Sequence, residues 1–578
     1  MKEKWLVHSK KADFNAIAAK YHISPITARI IRNRDYIEDI DINLYLNGSL
    51  GELHSPWLLK DMDKAVSIIE NAIDNKQSIR VVGDYDIDGV CAGNVLVKGL
   101  EMAGAFVSFA VPDRIIDGYG INERIIEEAY EDGIDLIVTC DNGIAAIPAI
   151  RRAKELGMTV VVTDHHEVPA VLPEADAIVD AKQKDCKYPF KEICGAVVAL
   201  KVITALFEKV NYHSESMDGL YELAGIATIG DVVDLRDENR IIAKYALNIL
   251  TNTKNPGIAS LKKVNNLDDK KISSYHVGFV LGPCLNAGGR LDTALKSYEL
   301  LADNSVNSYL LAMELKELNV DRKQMTIDNV DKAIEMIDSD EGYQRDTVLV
   351  IFLEKCHESL AGIVAGRIRE RYNKPTYVLT NADNGIKGSG RSIEGYNMFE
   401  ELNKVSDLLS KYVGHEMAAG LSLPKDNLES FREAVNRESA LTEDDLVAKV
   451  WIDVPLPFNY VTETLINELE LLEPFGKGNV KPVFAERAVA IRNIRIFGQN
   501  RNVIRISMQN ESGYRMDGTL FMAEDDFISM MSEKFGENET GRALNGEDND
   551  IRMNITYYPE IDEYRGNRYV KVVITRIM

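Results

Sequence analysis

Three short apolar runs of the chain stop at carboxylates or imidazoles. Val81-Val82 leads into Gly83-Asp84-Tyr85-Asp86-Ile87-Asp88-Gly89, Ile137-Val138-Thr139 into Cys140-Asp141-Asn142-Gly143, and Val161-Val162-Thr163 into Asp164-His165-His166. A fourth candidate, Ile229-Gly230-Asp231-Val232-Val233-Asp234, follows a helical pattern. A lone Asp-x-Asp after a strand also serves as turn and cap chemistry, and Asp141-Asn142-Gly143 would make an ordinary turn into a helix. Two adjacent imidazoles beside an acid at a strand end have little structural use. Gathered in one place, these acids would repel one another unless a cation lay between them, and a divalent metal is the natural one. Carboxylates with one or a few imidazoles suit Mn²⁺ or Mg²⁺ better than thiolate-selecting Zn²⁺. Two such ions, about 3.5–4 Å apart and bridged by a shared carboxylate, clamp the attacking and leaving oxygens of an in-line phosphoryl displacement. Phosphoester hydrolysis is therefore the leading chemistry.

Residues so far apart in sequence need a scaffold that brings them together. From about residue 58 to 180, buried-strand runs at 78–82, 106–111, 136–139, 159–163 and 177–179 alternate with helical patterns at 92–103, 123–130 and 145–156. That alternation is the signature of βα units in a parallel sheet, whose C-terminal strand ends line one ligand-binding edge. The expected fold class is α/β. Residues 1–50 read as an N-terminal arm without chemistry and 51–291 as the catalytic domain. Residues 292–345 carry leucines at helical spacing and read as a long helical connector. A second α/β pattern fills 346–440. Residues 441–578 turn to short β runs, for which a small β-barrel is the economical reading, with 545–550 as a solvated loop.

The 578 residues are a prior for about three to five domains, and 45% apolar with 27% charged residues is ordinary for a folded protein. Acids outnumber bases 91 to 67, a formal charge of −24, which speaks against binding nucleic acid through bulk positive charge. Any phosphate-bearing partner needs metal or a few placed cations. The six cysteines form no C-x₂-C pair, disfavouring a zinc ribbon or a disulfide framework. The charged start and the lack of long apolar runs point to a cytoplasmic location without membrane contact.

The segments GDYDIDG, TCDNGI and TDHHE, in that order, resemble the signature motifs of the DHH/DHHA1 phosphoesterase family. Further blocks resemble its single-strand-specific 5′→3′ exonuclease branch: Pro112-Asp113-Arg114 with Gly118-Tyr119-Gly120, GPCLNAGGRL (282–291), LNVDRKQ (318–324), residues 363–366, KGSGRS (387–392), GHEMAAG (414–420) and EPFGKG (473–478). The resemblance implies a DHH parallel-sheet domain and a DHHA1 domain joined by a long helix, followed by an OB-like barrel. It implies that Asp84 and Asp86 hold one ion, that Asp88, His165 and Asp231 hold the other, and that Asp141 bridges them. His166 would support the scissile phosphate, and Asp164 would orient an imidazole. Water activated by the cations would be the nucleophile, so no Ser or Cys nucleophile is required.

For the substrate, the resemblance implies that Ser389, Gly390 and Arg391 bind a terminal phosphate, with His415 beside them. Arg114 and Arg290 would hold the 5′ end, and Tyr119 and Asn286 would contact the strand. Arg492, Arg495, Arg501 and Arg505 form the expected basic cluster of the barrel. The implied activity is 5′→3′ release of mononucleotides from single-stranded DNA in repair and recombination, by a monomer, with a helicase and a single-strand-binding protein as candidate partners. The rivals are a phosphodiesterase for cyclic dinucleotides or very short RNA, an inactive nucleic-acid-binding scaffold, and a Rossmann-like nucleotide sensor, for which no G-x-G-x-x-G follows a strand. Four departures from the family pattern stand out: Cys284 where Arg is usual, Val413 for the first Gly of a GGH, Cys356 for a Trp before His357, and Asp180-Ala181 for Asn-Pro. Cys284 weakens the expected hold on DNA most.

Overall fold

The computed structural model describes residues 3–212, 217–302, 307–382, 385–564 and 566–578, in two compact units. The first comprises residues 53–233 and 241–448, the second residues 4–52, 234–240 and 449–578. No helix among the described residues is long and apolar enough to cross a membrane.

The first unit opens with strand β1 (Ser78–Val82), helix α1 (Ile87–Met102), β2 (Phe106–Ala110), α2 (Glu123–Glu131), β3 (Leu136–Thr139), α3 (Ile147–Glu155), β4 (Thr159–Thr163) and β5 (Ala177–Val179). The strands pair in parallel in the order β2-β1-β3-β4-β5. All four residues of β3 and the last four of β4 are buried, as the Val- and Ile-rich runs require of strands covered on both faces. The strand order reverses between β1 and β3, and at that switch point the edge of an open α/β sheet forms a crevice. Helices α4 (Gly195–Lys209) and α5 (Asp218–Gly230) pack on α1 behind it.

The chain continues through α6 (Gly282–Leu291) to α7 (Ser308–Ser339), 32 residues long, which runs to the second sheet of this unit. That sheet contains β6 (Leu349–Phe352), β7 (Thr376–Ala382), β8 (Gly385–Arg391), β9 (Lys411–His415) and β10 (Ala418–Leu423), in the order β9-β10-β8-β7-β6. Only β6 and β7 run parallel. Helix α8 (Ala361–Tyr372) covers β7 and β8.

In the second unit, β11 (Val454–Pro455) pairs with β12 (Phe484–Phe497), and β13 (Val503–Gln509), β14 (Arg515–Phe521), β15 (Arg552–Tyr564) and β16 (Asn567–Ile577) follow. The sheet order β12-β13-β14-β16-β15 closes on itself through β12–β15 pairing, so the expected barrel is present. Two helices, Glu524–Phe535 and Glu537–Leu544, precede β15, and residues 545–550, expected as a solvated loop, form the exposed turn and loop between the second helix and that strand. Residues 4–52 are built into this unit rather than forming an arm: Ile30 and Ile31, fully buried, share a core with Phe484 and Tyr557. A buried ion pair, Arg34 to Asp453 at 3.3 Å, ties the same segment down.

Candidate metal centre

The crevice between β1 and β3 gathers the acids. Asp84 follows β1 and is fully buried. One of its oxygens accepts from the Gly120 amide at 3.2 Å, and the other is buried with no hydrogen-bond partner, a lone pair open to a cation. Asp86 caps α1, accepting from the amides of Asp88 (2.9 Å) and Gly89 (3.2 Å). Asp88, in the first turn of α1, accepts from the Gly195 (2.6 Å) and Ala196 (2.8 Å) amides at the start of α4. Asp141 ends β3 in the left-handed region, φ 61°, and its carboxylate lies 3.0 Å from His165 Nε2. Gly195 must be glycine, because a Cβ there would lie 2.6 Å from the Cβ of Asp141. Its amide was not foreseen from sequence, since residue 195 has no side chain to announce a role.

Three groups of potential ligands result, each with its donor atoms within 4.8 Å of one another: Asp84, Asp86 and Asp141; Asp88, His165 and Asp231; and Asp141, His165 and His166. All six residues expected as ligands therefore meet here, and Asp141 adjoins both sets. His165 Nε2 is 3.5 Å from Asp88 and 3.9 Å from Asp231. Burial, then the charge of Asp86, pushes Asp84 well above the usual carboxylate range. Burial and Asp88 do the same to Asp141, and burial with Asp86 brings Asp88 to about 6. Burial and the neighbouring His166 hold His165 down to about 3, a neutral imidazole suited to ligation. Carboxylates crowded in this way ionise together only with a cation among them. The donor set, oxygens with one neutral imidazole, fits Mn²⁺ or Mg²⁺.

Asp164 serves the imidazoles. It accepts from the backbone amides of Ile144, His165 and His166 and meets His166 Nδ1 at 2.8 Å. Burial opposes charge on His166, yet the Asp164 hydrogen bond and the charges of Asp164, Asp231 and Asp86 raise it to about 9. Tyr119 donates from its hydroxyl to the Asp141 carbonyl at 2.6 Å, and the same oxygen lies 3.2 and 3.1 Å from the two ring nitrogens of His166. The hydroxyl thus braces the centre, whatever its ring touches.

The other expected substrate residues are more dispersed. Arg114 stacks over Tyr85 at 4.4 Å, and Arg290 donates to the Ser359 carbonyl at 2.7 Å. Asn286 accepts from the Ile87 amide at 2.8 Å and so secures the start of α1. Ser389 and Arg391 lie on β8; Arg391 donates to the Gly390 carbonyl (2.8 Å) and rests against Gly362 at the start of α8. A Cβ at Gly390 would meet Met398 and Tyr377, so glycine here serves the packing behind the strand. His415 ends β9, where its Nδ1 accepts from the Met417 amide at 3.3 Å. Cys284 is buried and accepts from Asn319 (3.4 Å) and Asn265 (3.8 Å); Asn319 in turn anchors the guanidinium of Arg322. Asp180 is buried with one oxygen unpartnered and is pushed up to about 7 by burial and Asp164, while Cys356 is buried and Val413 exposed. In the barrel, Arg501 pairs with Glu524 and Arg505 with Asp562, so two of the four expected arginines carry a carboxylate partner, while Arg492 donates to the neutral Gln509 amide.

Comparison with known proteins follows the same division. The profile of the DHH family, N-terminal domain, matches residues 78–230, the DHHA1 domain residues 345–440, and the RecJ OB domain residues 452–576. The chain is 30% identical over 604 aligned residues to the single-stranded-DNA-specific exonuclease RecJ of Salmonella typhimurium, covering 100% of both. It belongs to the RecJ family. The Bacillus subtilis RecJ is 36% identical over 518 residues, which span 88% of this chain and 65% of that one. The Mn²⁺-bound crystal structure of RecJ from Thermus thermophilus matches with a TM-score of 0.83 at 25% identity, over 100% of this chain and 80% of that one. The Mg²⁺-bound form of that protein gives 0.76 at 24%, over 100% and 78%. The RecJ fold, in its DHH, DHHA1 and OB parts, is the one described above.

Proposed function

We propose that this RecJ-family chain is a metal-dependent exonuclease that hydrolyses single-stranded DNA from its 5′ end and releases mononucleotides. The observation that carries the reading is the pair of acid and imidazole groups sharing Asp141 at the switch point of the sheet, within a chain that also has DHHA1 and OB parts. Asp84 and Asp86 would hold one ion and Asp88, His165 and Asp231 the other, with Asp141 adjoining both sets. Divalent ions bound there supply charge stabilisation for the phosphoryl oxygens and an activated water at neutral pH.

The protein's own groups do the rest. His166, charged and oriented by Asp164, places its positive charge beside the centre, where it can stabilise a phosphoryl oxygen electrostatically. Tyr119 fixes the Asp141 backbone and the His166 ring with one hydroxyl, which makes it a positioning residue. Tyr119→Phe keeps the ring and removes the hydroxyl; kcat on a single strand is expected to fall about tenfold, with KM nearly unchanged. A change in KM alone would assign the tyrosine to strand contact instead.

Ser389 and Arg391 bind the terminal 5′ phosphate, the guanidinium offering a two-pronged hold on its oxygens. Steady-state cleavage of a single strand, the same strand as duplex, and a cyclic dinucleotide, all with Mn²⁺, tests the assignment. Release of mononucleotides from the single strand only is expected, and hydrolysis of the cyclic dinucleotide alone would sink it. Arg391→Ala should reduce the preference for a 5′-phosphorylated over a 5′-hydroxyl end by about tenfold; an unchanged preference removes Arg391 from the pocket.

A further inference from the structure

In the DHHA1 sheet, the register of β9, β10 and β8 aligns three cross-strand rows. Lys411, Ser422 and Lys387 form one, Val413, Gly420 and Ser389 the next, and His415, Ala418 and Arg391 the third. Alternation along a strand puts all nine on the same face. The intervening residues Ile386, Ala419 and Leu421 belong to the core on the opposite face. Lys411, Ser422 and Lys387 of the first row, with Val413 and Gly420 of the second, line a cleft of ≈ 230 Å³ together with Glu358, Tyr85 and Arg114.

The row with two lysines is not explained by the terminal-phosphate pocket of Ser389 and Arg391, which lies farther along β8 toward its C-terminal end. Lys387 has one acid beside it, Glu358 at 3.2 Å. Among the described residues, no carboxylate pairs with Lys411 or Arg114. Two ammonium groups at one register level, faced by a guanidinium, repel one another, and the repulsion is relieved by an anion between them. The chain carries a formal charge of −24, so cations left unpaired around one cleft are not a by-product of surplus base. Between the charged rows stands Val413, 65% exposed, over Gly420, where an added Cβ would meet only Val413 at 3.8 Å. An apolar spacer between two cationic rows suits a sugar between two phosphates.

We propose that Lys387, Lys411 and Ser422, with Arg114 across the cleft, form a second phosphate-binding site. The ligand chemistry is a phosphate group of the strand that Ser389 and Arg391 engage, so the inference rests on the single-strand reading above. Its source is either an internal phosphodiester or the outer phosphates of a 5′-triphosphate end.

The test is equilibrium binding of the full chain to a 3′-fluorescein single strand, bearing a 5′-monophosphate or a 5′-triphosphate, by anisotropy in EDTA across a range of NaCl. Each phosphate contact on a single strand contributes about 0.7 to the slope of log K against log salt. Lys411→Ala and Lys387→Ala are each expected to reduce that slope by about 0.7 and to weaken binding about fivefold at low salt. Lys425→Ala, which removes an exposed lysine elsewhere in the same domain, should change neither. A loss on both strands identifies an internal phosphodiester, and a loss on the triphosphate strand alone identifies the outer phosphates. Unchanged slopes in both cleft variants, or an equal effect of Lys425→Ala, overturn the site. Mn²⁺-dependent cleavage of the same strands is measured alongside. Lysine-dependent binding without cleavage would overturn the nuclease reading and leave the site standing, cleavage without lysine dependence would do the reverse, and no binding at all would overturn both.

Discussion

Asp141→Asn is expected to lower kcat for Mn²⁺-dependent hydrolysis of single-stranded DNA by at least about a thousandfold while making the metal-free protein more stable. Both effects come from one carboxylate. Asp141 adjoins both ligand sets, so removing its charge weakens the hold on each ion. Asparagine preserves the shape, tolerates the left-handed backbone at this position, and keeps the carbonyl that accepts from Tyr119. What it removes is a buried negative charge that burial and the charges of Asp88, Asp86, Asp231 and Asp84 all oppose. In EDTA the variant should therefore melt above the wild type, by about 1 °C for each kcal/mol of relief. Added Mn²⁺ should raise the wild-type melting temperature, because it binds only the folded state, and should raise that of the variant far less. Differential scanning fluorimetry with and without Mn²⁺ reads both. A variant destabilised in EDTA and still stabilised by Mn²⁺ like the wild type would remove Asp141 from the centre.

That carboxylate was legible in the sequence because its position follows from topology. A run such as Leu136–Thr139 is a buried parallel strand, and whatever follows it stands at the ligand edge of the sheet. The same logic found Asp84, Asp86, Asp88 and the Asp164-His165-His166 cluster. It could not find the Gly195 and Ala196 amides that hold Asp88, since backbone donors have no residue type to betray them. Asn286 reads as a strand contact because its block resembles a substrate motif; its bond to the Ile87 amide is a further role that depends on a backbone donor and so has no residue type to announce it. The cationic rows of the DHHA1 sheet needed register, which joins Lys387 to Lys411 across Ser422 although the sequence separates them by a helix and a turn. Residues 4–52 read as an arm for a related reason. Their periodicity announces helices with an apolar stripe, but the stripe does not name its partner, and the partner lies far along the chain, beginning with Val454.

Arg240→Ala is expected to destabilise the second unit by about 3–5 kcal/mol, for reasons that again lie in backbone groups. The Arg240 guanidinium is almost fully buried and stacks 4.0 Å over Tyr45. It donates to the carbonyls of Tyr45 (2.8 Å), Leu471 (3.1 Å), Leu472 (3.1 Å), Glu473 (2.8 Å) and Pro474 (3.4 Å). The Leu472 and Pro474 carbonyls keep a second donor in Asn479, so the loss falls mainly on the other three. An unpaired buried carbonyl costs about 1–3 kcal/mol, and the lost stacking and packing add to it. Arg240→Lys should recover only a minor part, because an ammonium cannot fork across so many acceptors and carries no plane to lie on Tyr45. Urea denaturation followed by tryptophan fluorescence in a Trp57→Phe background, which leaves Trp5 and Trp451 of the second unit as reporters, measures the difference. A loss below about 1 kcal/mol would mean that the loop at 471–474 finds other donors when the arginine is gone. Arg240 belongs to the short segment 234–240 that the second unit takes from the middle of the chain, soon after Asp231 in sequence. Activity in Arg240→Ala, measured well below its unfolding transition, then asks whether anchoring that segment also steadies the metal ligand that precedes it. A fall in Mn²⁺ affinity with the preference for a 5′-phosphate unchanged is the expected answer, since Asp231 is close in sequence to the loosened segment and Arg391 is not.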